Sequence, residues 1–333
     1  MMDGHELARD FLLSKPAGRA FRLDGTGVPD KPAACAVAIG AFDGFHRGHQ
    51  ELLSLTATYA HEHGLRCVAV TFDPDPDAVV SAAPARSLMA VSDRVRALCA
   101  AGFDVAVVPF TSQVASMTHE QFFEDTLLPY LDIKAVHVGS DFKLGARGAS
   151  NVDVIRAWGR ERGIEVFGHS LLLDNGRAIS ATRIRELMSC GRVEDARLEL
   201  GHRPMVRGRV EHGRGEGTDM GFPTANISVD ASMQLPADGV YAGFACCGSR
   251  VWPAAINVGI PPMFAESSAS AHLEANLLGY AGDLYGRDIA VSFDAYLRPS
   301  RAFDSVEELI DVVHRDIDHV AAMFGSVELE AKP

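Results

Sequence analysis

An α/β domain built on a parallel sheet, followed by an antiparallel β-barrel, is the fold this sequence predicts. Three observations carry it. Between residues 35 and 190, short apolar runs alternate with amphipathic helical stretches, the pattern of a parallel sheet with helices on both faces. From Arg203 onward, helical periodicity gives way to short runs with alternating apolar residues, as antiparallel barrels show. At 333 residues the chain is long enough for two such domains.

In chain order, Ala36-Val-Ala-Ile39 reads as a buried strand and Gln50-Glu-Leu-Leu-Ser-Leu as the helix opening after it. Arg66 to Phe72 is a strand ending at Asp73-Pro74, Ser92 begins a helix, and Asp104 to Phe110 is another buried strand. Thr118 with Gln121 forms a capping box ahead of a helix over Phe122 to Tyr130. Ala135 to Gly139 and Ile164 to Phe167 add strands, with a helix near Val152 to Arg162 between them. In the second half, strands are expected over Met205–Val210, Val240–Cys246, Val251–Val258, His272–Leu278 and Ile289–Leu297. A capping box at Ser305 and Glu308 then opens an amphipathic helix through Phe324.

Composition narrows the function classes. Acidic residues outnumber basic ones, 44 against 31, for a net charge of −13, and no basic run appears. Nucleic acid and anionic membranes are therefore poor partners. The six cysteines, Cys35, Cys67, Cys99, Cys190, Cys246 and Cys247, show no C-x-x-C spacing and sit mostly in apolar runs, as reduced core thiols do. No signal-peptide plan and no apolar run near the ~20 residues of a membrane span is present, so a cytoplasmic location is expected. The sequence leaves a homo-oligomer open.

Gly40-Ala-Phe-Asp-Gly-Phe-His-Arg-Gly-His49 joins the first strand to the first helix. Strand, glycine turn and helix start are where α/β proteins hold phosphate, because helix amides and the helix dipole both favour an anion. The glycines admit close backbone approach, and His46 and His49 add donors. Those two histidines alone could equally be half a zinc site or surface groups, but no Cys or third His lies at ligand spacing nearby. A second block, Ile179-Ser-Ala-Thr-Arg-Ile-Arg185, offers the Ser180 and Thr182 hydroxyls at a helix start and the Arg183 fork, all suited to phosphate oxygens. Alone, it is also what an ordinary capped helix looks like. His46, Asp73, Ser140 and Asp141 all follow strand ends and are expected to converge at the carboxyl edge of the sheet.

Gly40, Phe42, Asp43, Gly44, His46, Gly48 and His49 together match the G-x-F-D-G-x-H-x-G-H form of the nucleotidyltransferase superfamily, and the chain resembles its FAD synthetase branch, with a Rossmann-like sheet of the HxGH type. Ile179–Arg185 is similar to that family's I-S-S-T-x-I-R signature, whose Ser, Thr and Arg hold the triphosphate, with Ala181 in place of the second Ser. Thr71-Phe-Asp-Pro-Asp-Pro76 resembles its T-F-D-P-H-P, with Asp75 where a His is usual. Val138-Gly-Ser-Asp-Phe-Lys-Leu-Gly145 resembles its V-G-x-D-F-x-F-G, with Leu144 for an aromatic and Ser150 for a later Gly. The resemblance implies that these loops, Asp141 among them, line the flavin pocket; a turn-forming aspartate is the other reading of Asp141.

In the barrel, His212-Gly-Arg-Gly-Glu-Gly-Thr-Asp-Met-Gly-Phe-Pro-Thr-Ala-Asn-Ile227 sets a glycine loop before a rigid Pro-Thr-x-Asn. The loop amides (Gly213, Gly217, Gly221 and neighbours) could wrap phosphates, with Pro223 stiffening the end of the loop, while Thr224 and Asn226 offer hard oxygens to Mg²⁺. This block resembles the P-T-A-N motif of riboflavin kinase. Leu273–Tyr280 and Asp283-Leu-Tyr-Gly286 resemble that family's E-x-H-x-x-D-F and D-L-Y-G, which implies that Glu274 is the catalytic base; without the family it is an acid on a solvated strand face. Leu297-Arg-Pro-Ser-Arg-Ala-Phe303 is similar to the closing L-R-x-x-x-x-F. Thr218, Pro261, Met263, Asn276 and Gly279 depart from the kinase pattern.

The resemblance covers residues 35 to 325 and implies a bifunctional riboflavin kinase/FAD synthetase: an FMN adenylyltransferase domain over 1–186, a helical connector over 187–202 and a riboflavin kinase domain over 203–333. It implies ATP, riboflavin, FMN and FAD as substrates and products, with Mg²⁺. Two other readings stay open: an FAD synthetase with a degenerate, flavin-binding kinase half, and a non-catalytic flavin or nucleotide sensor.

Overall fold

The computed structural model describes residues 4–24, 33–212, 220–259 and 272–330. The chain divides into two compact units. A sheet unit comprises Lys15–Ala85 and Val91–Ser180; a barrel unit takes residues 4–14, 86–90 and the chain from Ala181 onward.

In the sheet unit, β1 (Ala20–Arg22), β2 (Ala34–Ile39), β3 (Arg66–Asp73), β4 (Asp104–Pro109), β5 (Asp132–Gly139) and β6 (Glu165–His169) pair in the order β1-β4-β3-β2-β5-β6, every pairing parallel. The chain builds outward from β2 through β3 to β4, then returns to lay β5 on the other side of β2. That reversal opens a crevice at the carboxyl ends of β2 and β5, the place where open α/β sheets bind ligands. Side chains of one strand alternate between two cores, as the pleat requires. Val37 and Val70 face a cluster with Trp158 of helix α4 (Val152–Glu161), whereas Ala38 and Ala69 face Leu52, Leu53 and Leu98 on the other side. Helices thus cover both faces, as the alternation of sequence patterns predicts.

Helix α1 (Gly4–Asp10) was not legible as an element, and β1 is a further strand absent from the sequence reading. The helix after β2, α2 (Arg47–Glu62), starts three residues before the expected Gln50, with His46 as its N-cap. Helix α3 (Val91–Ala100) starts one residue before Ser92. The Thr118/Gln121 capping box is present with both bonds made, but the helix it opens turns π-helical over Phe122–Leu127 and stops there.

The barrel unit closes six antiparallel strands on themselves: β7 (Met205–Glu211), β8 (Ala225–Val229), β9 (Gly239–Cys247), β10 (Arg250–Val258), β11 (His272–Leu277) and β12 (Asp288–Arg298), in the order β9-β12-β7-β8-β11-β10 with β10 returning to β9. Val210, Ile227, Leu273 and Val258 stand on adjacent strands in register and are buried. Strand β8, which carries the Pro-Thr-x-Asn segment into the barrel, was missed because its alternation lasts only five residues. Helix α7 (Val306–Phe324) packs Val320 against Ala242 and Leu278. Ser305 caps it by accepting from the Glu308 amide; the Glu308 carboxylate accepts from the Asp304 amide instead of the Ser305 amide, one residue off the expected reciprocal bond.

Residues 4–14 belong to the barrel unit for a physical reason. Leu7 and Ala8 of α1 and Phe11 just after it are buried with Met205, Phe244, Val251 and Ala290. Beside this apolar seam, the fully buried Arg203 donates to Asp10 at 2.6 Å and Asp294 at 2.5 Å and reaches Glu6 at 3.1 Å, while Arg197 also holds Glu6 and Asp294. The three acids raise the Arg203 pKa against the opposing effect of burial. Removing one member of a buried ion pair strands the other charge, at a cost of about 3–5 kcal/mol. Arg203→Ala is therefore expected to destabilise the barrel unit by roughly that amount, measured as a fall in the urea midpoint of its unfolding transition, and Asp10→Leu combined with Arg203→Met to recover much of the loss.

Candidate active sites

The turn after β2 is the most constrained backbone of the sheet unit. Phe42 (φ 54°), Gly44 (φ 72°) and Phe45 (φ 44°) all lie in the left-handed region within four residues. For a phenylalanine this conformation is costly and persists only where surroundings enforce it, commonly at functional sites. Several contacts enforce it here. The Phe42 ring is fully buried beneath Gly40, where an added Cβ would lie 3.3 Å from the ring. Gln50 Nε2 donates to the Phe45 carbonyl at 2.8 Å, and Thr71 Oγ1 donates to the Ala41 carbonyl at 3.1 Å.

The turn delivers two imidazoles to the start of α2. His46 is buried and caps the helix, its Nδ1 accepting from the His49 amide at 3.4 Å, which leaves the ring proton on Nε2 in the neutral form. The His49 ring stacks on it at 3.6 Å and meets Phe42 edge-on at 5.2 Å. Gly48 makes that stack fit: a Cβ there would sit 3.2 Å from the His46 ring and 3.5 Å from the Ile179 carbonyl. The same contact brings the first residue of the second sequence block against the first block. His49 Nδ1 is buried and meets no hydrogen-bond partner. Burial, then His46 and the Arg94 charge, hold the His49 pKa well below the ordinary imidazole value, so the ring is neutral.

Other predicted residues take defined places. Asp43 is buried in the turn. Asp141 follows β5 across the crevice from the β2 turn, exposed, with Oδ1 folded back to within 2.9 Å of where a Gly139 Cβ would be. Asp73 pairs with Arg22 at 2.8 Å and so faces an edge strand. Ser180 ends the sheet unit, whereas Thr182 and Arg183 lie on α5 (Ala181–Ser189) of the barrel unit. There Arg183 is held by the buried Glu199 of α6 (Val193–Leu200) at 2.6 Å, a partner that sequence reasoning did not foresee.

In the barrel, register assembles a polar row on the outward face. Asn226 of β8 stands opposite Glu211 of β7 on one side and Glu274 of β11 on the other, and Glu274 stands opposite Asn257 of β10. Directly opposed residues bring their Cβ atoms within about 5 Å. Thr224 and Glu274 are half-buried at this row, and Gly221 enters the segment with φ 89°. Phe222 is buried with its ring edge-on to His314 of α7. Glu211 and Asn257 were missed because only strand pairing reveals them. Gly213, Gly217, Thr218, Pro261 and Met263 lie outside the described residues. Among the described residues no group of three or more His, Cys, Asp or Glu forms a metal cluster. Mg²⁺ asks for less: it binds through one or two protein oxygens plus substrate phosphates, and the all-oxygen set of Thr224, Asn226 and flanking carboxylates fits it.

Comparison with known proteins decides the family. An FAD synthetase family model matches residues 28–183 and a riboflavin kinase model matches 200–324. The bifunctional riboflavin kinase/FMN adenylyltransferase of Escherichia coli K12 is 33% identical over 295 residues, covering 87% of this chain and 93% of the relative. The chain belongs to the bifunctional riboflavin kinase/FMN adenylyltransferase family. The Pseudomonas fluorescens protein of the same name is 30% identical over 290 residues, covering 87% and 93%. A solved Streptococcus pneumoniae structure named macrolide-efflux protein superposes with a TM-score of 0.79 at 27% identity, over 90% of this chain and 98% of that one. No helix among the described residues is long and apolar enough to cross a membrane.

Against the family pattern, the departures have local explanations. Asp75, where a His is usual, is ion-paired to buried Arg94. Ser150 is buried with Oγ 2.8 Å from His119 Nδ1. Asn276 donates from Nδ2 to the Pro223 carbonyl at 2.8 Å, tying β11 to the Pro-Thr-x-Asn segment. At Gly279 (φ 77°) a Cβ would lie 2.4 Å from the Ser326 carbonyl, so the chain beyond α7 excludes the family's Asp. The D-L-Y-G turn stacks Tyr285 on His212 at 3.8 Å, and Arg298 of the closing motif binds Asp316 of α7 through two nitrogens.

A second neutral imidazole, His137 of β5, is buried 2.9 Å from His169, and burial lowers its pKa to about 4. His49 and His137 are uncharged in the fold and take up protons once unfolded below about pH 6.5. Their stabilisation is therefore complete above that pH and is lost as pH falls, for His137 down to about 4. Each is expected to steepen the fall by up to ~1.4 kcal/mol per pH unit. His137→Phe should flatten the acid limb of urea stability against pH by about that slope.

Proposed function

We propose that the chain phosphorylates riboflavin to FMN in its barrel and adenylylates FMN to FAD at the β2–α2 turn, both with ATP. The observation that carries the reading is the β2–α2 turn itself: a strained glycine loop, a helix start and a buried His49 nitrogen without a partner, at the switch point of a parallel sheet. In sequence terms, adenylylation belongs to 1–186, the connector to 187–202 and phosphorylation to 203–333, with residues 4–14 serving the barrel as structure.

In the first reaction the ribityl hydroxyl attacks the γ-phosphorus of ATP and ADP leaves. Glu274, beside Asn226, takes the hydroxyl proton. Thr224 and Asn226 would hold Mg²⁺, which supplies charge neutralisation on the phosphates when bound. In the second reaction an FMN phosphate oxygen attacks the α-phosphorus, the α–β bridge breaks and pyrophosphate leaves. The nucleophile is already anionic, so no base is required. The work is positioning and charge stabilisation. His46 and His49 present ring N–H groups to the phosphates beside the α2 amides, with Gly40, Phe42, Asp43, Gly44 and Gly48 shaping the loop. A neutral His49 suits this role, since the ring keeps one N–H that can donate to a phosphate oxygen. Ser180, Thr182 and Arg183 are further phosphate donors, and a bound triphosphate would compete with Glu199 for the Arg183 guanidinium. Asp141 lines the flavin side. Gly213, Gly217, Gly221 and Pro223 form the kinase phosphate loop. The acidic net charge of −13 disfavours nucleic acid and anionic membranes as partners, and a cytoplasmic location is part of the same reading.

Incubation with riboflavin, ATP and Mg²⁺, followed by chromatographic separation of flavins, tests the whole. FMN and then FAD are expected; FAD only from supplied FMN would reduce the barrel to flavin binding, and no product at all would leave a sensor. His49→Ala is expected to lower FAD formation about 10²–10³-fold and leave FMN formation intact. Glu274→Gln is expected to lower FMN formation about 10²–10⁴-fold while FAD still forms from supplied FMN.

A further inference from the structure

The buried Arg94 of α3 takes no part in the chemistry above, yet its side chain is fully excluded from solvent at the carboxyl edge of the sheet. Nη1 donates to the Ala41 carbonyl and pairs with the Asp75 carboxylate; Nη2 donates to the Phe72 carbonyl at 3.0 Å. Ala41 begins the strained turn after β2, Phe72 is the penultimate residue of β3, and Asp75 caps the short helix Pro76–Val80. One planar fork therefore fixes two neighbouring strand ends and the loop between β3 and that helix. A buried guanidinium is a poor way to gain stability alone, because a well-packed apolar side chain of similar volume commonly does as well without the desolvation cost. What it supplies is a rigid, directional link. The Arg94 charge also acts on His49, helping to keep that imidazole neutral.

We propose that Arg94, with Asp75 as its counter-ion, is a positioning residue for adenylyl transfer: it fixes the Ala41 peptide, and through it the Phe42 ring that supports His49. The proposal rests on the assignment of the His46–His49 turn as the adenylylation site. It also gives Asp75 a purpose, since the acid matches a buried arginine.

The test uses the full-length protein with Arg94→Met, Arg94→Lys and Asp75→Asn, and His49→Ala in parallel. A misplacement near 1 Å costs about 10²-fold in rate. Arg94→Met is thus expected to lower kcat for FMN adenylylation about 100-fold, with ATP affinity by calorimetry little changed and riboflavin phosphorylation at the parental rate. Arg94→Lys, which keeps charge and donors, should recover at least about tenfold of that loss. The His49 imidazole signal should titrate at higher pH in Arg94→Met. A folded Arg94→Met with parental kcat, or an Arg94→Lys as poor as Arg94→Met, overturns the proposal. If Arg94→Met does not fold, Asp75→Asn decides: about a tenfold loss of adenylylation kcat supports it, and a parental kcat overturns it. Normal FAD synthesis by His49→Ala would instead remove the site assignment itself, whatever the Arg94 variants do.

Discussion

The candidate site of the sheet unit depends on one steric constraint: two imidazole rings stacked 3.6 Å apart beside a glycine that leaves little room for a side chain. Gly48 leaves room for the His46 ring, which a Cβ at 3.2 Å would press upon, and lies against the Ile179 carbonyl. Because His46 is also the helix cap, the stack fixes where α2 begins, and because His49 rests on Phe42, it fixes the left-handed loop. Helix start, ring orientation and loop strain are thus one arrangement, and the buried Arg94 fork holds its base.

The barrel solves its own positioning problem by different means. There, no strained loop is needed among the described residues, because strand register alone sets Asn226 between two carboxylates. Neighbouring elements then hold the row in place: Asn276 binds the Pro223 carbonyl, and Arg298 ties β12 to α7. The two halves illustrate two routes to the proposed phosphate sites, one by conformational strain at a helix start and one by pairing on a regular sheet.

Much of this was legible in the residues. Alternating apolar runs indicated the parallel sheet, because strands buried on both faces are nearly continuous in hydrophobicity. The two histidines and their glycines stood out because close approach and positive φ leave few residue choices. What could not be read was whatever depends on pairing between distant segments. Glu211 and Asn257 share a face with Glu274 only through register, and Arg94 looks like any helix surface arginine until β2 and β3 are seen to end beneath it. Likewise Glu199 is one acid in an amphipathic stretch until its 2.6 Å contact with Arg183 is known. The departures at Asp75 and Gly279 appeared as losses in the sequence; each is answered by a partner or by backbone that only the fold brings near.

The network around Arg203 carries a consequence for how the chain matures on the ribosome. Its acids come from Glu6 and Asp10 near the start and from Asp294 near the end. Helix α1 therefore has no place to settle until the chain has been made as far as β12. The sheet unit, contained within Lys15–Ser180, meets no such wait. Synthesis would thus deliver the sheet unit early, while the apolar stripe of Leu7, Ala8 and Phe11 stays uncovered until β7, β9, β10 and β12 have been made. That interval is the stage at which nascent-chain chaperones have something to shield.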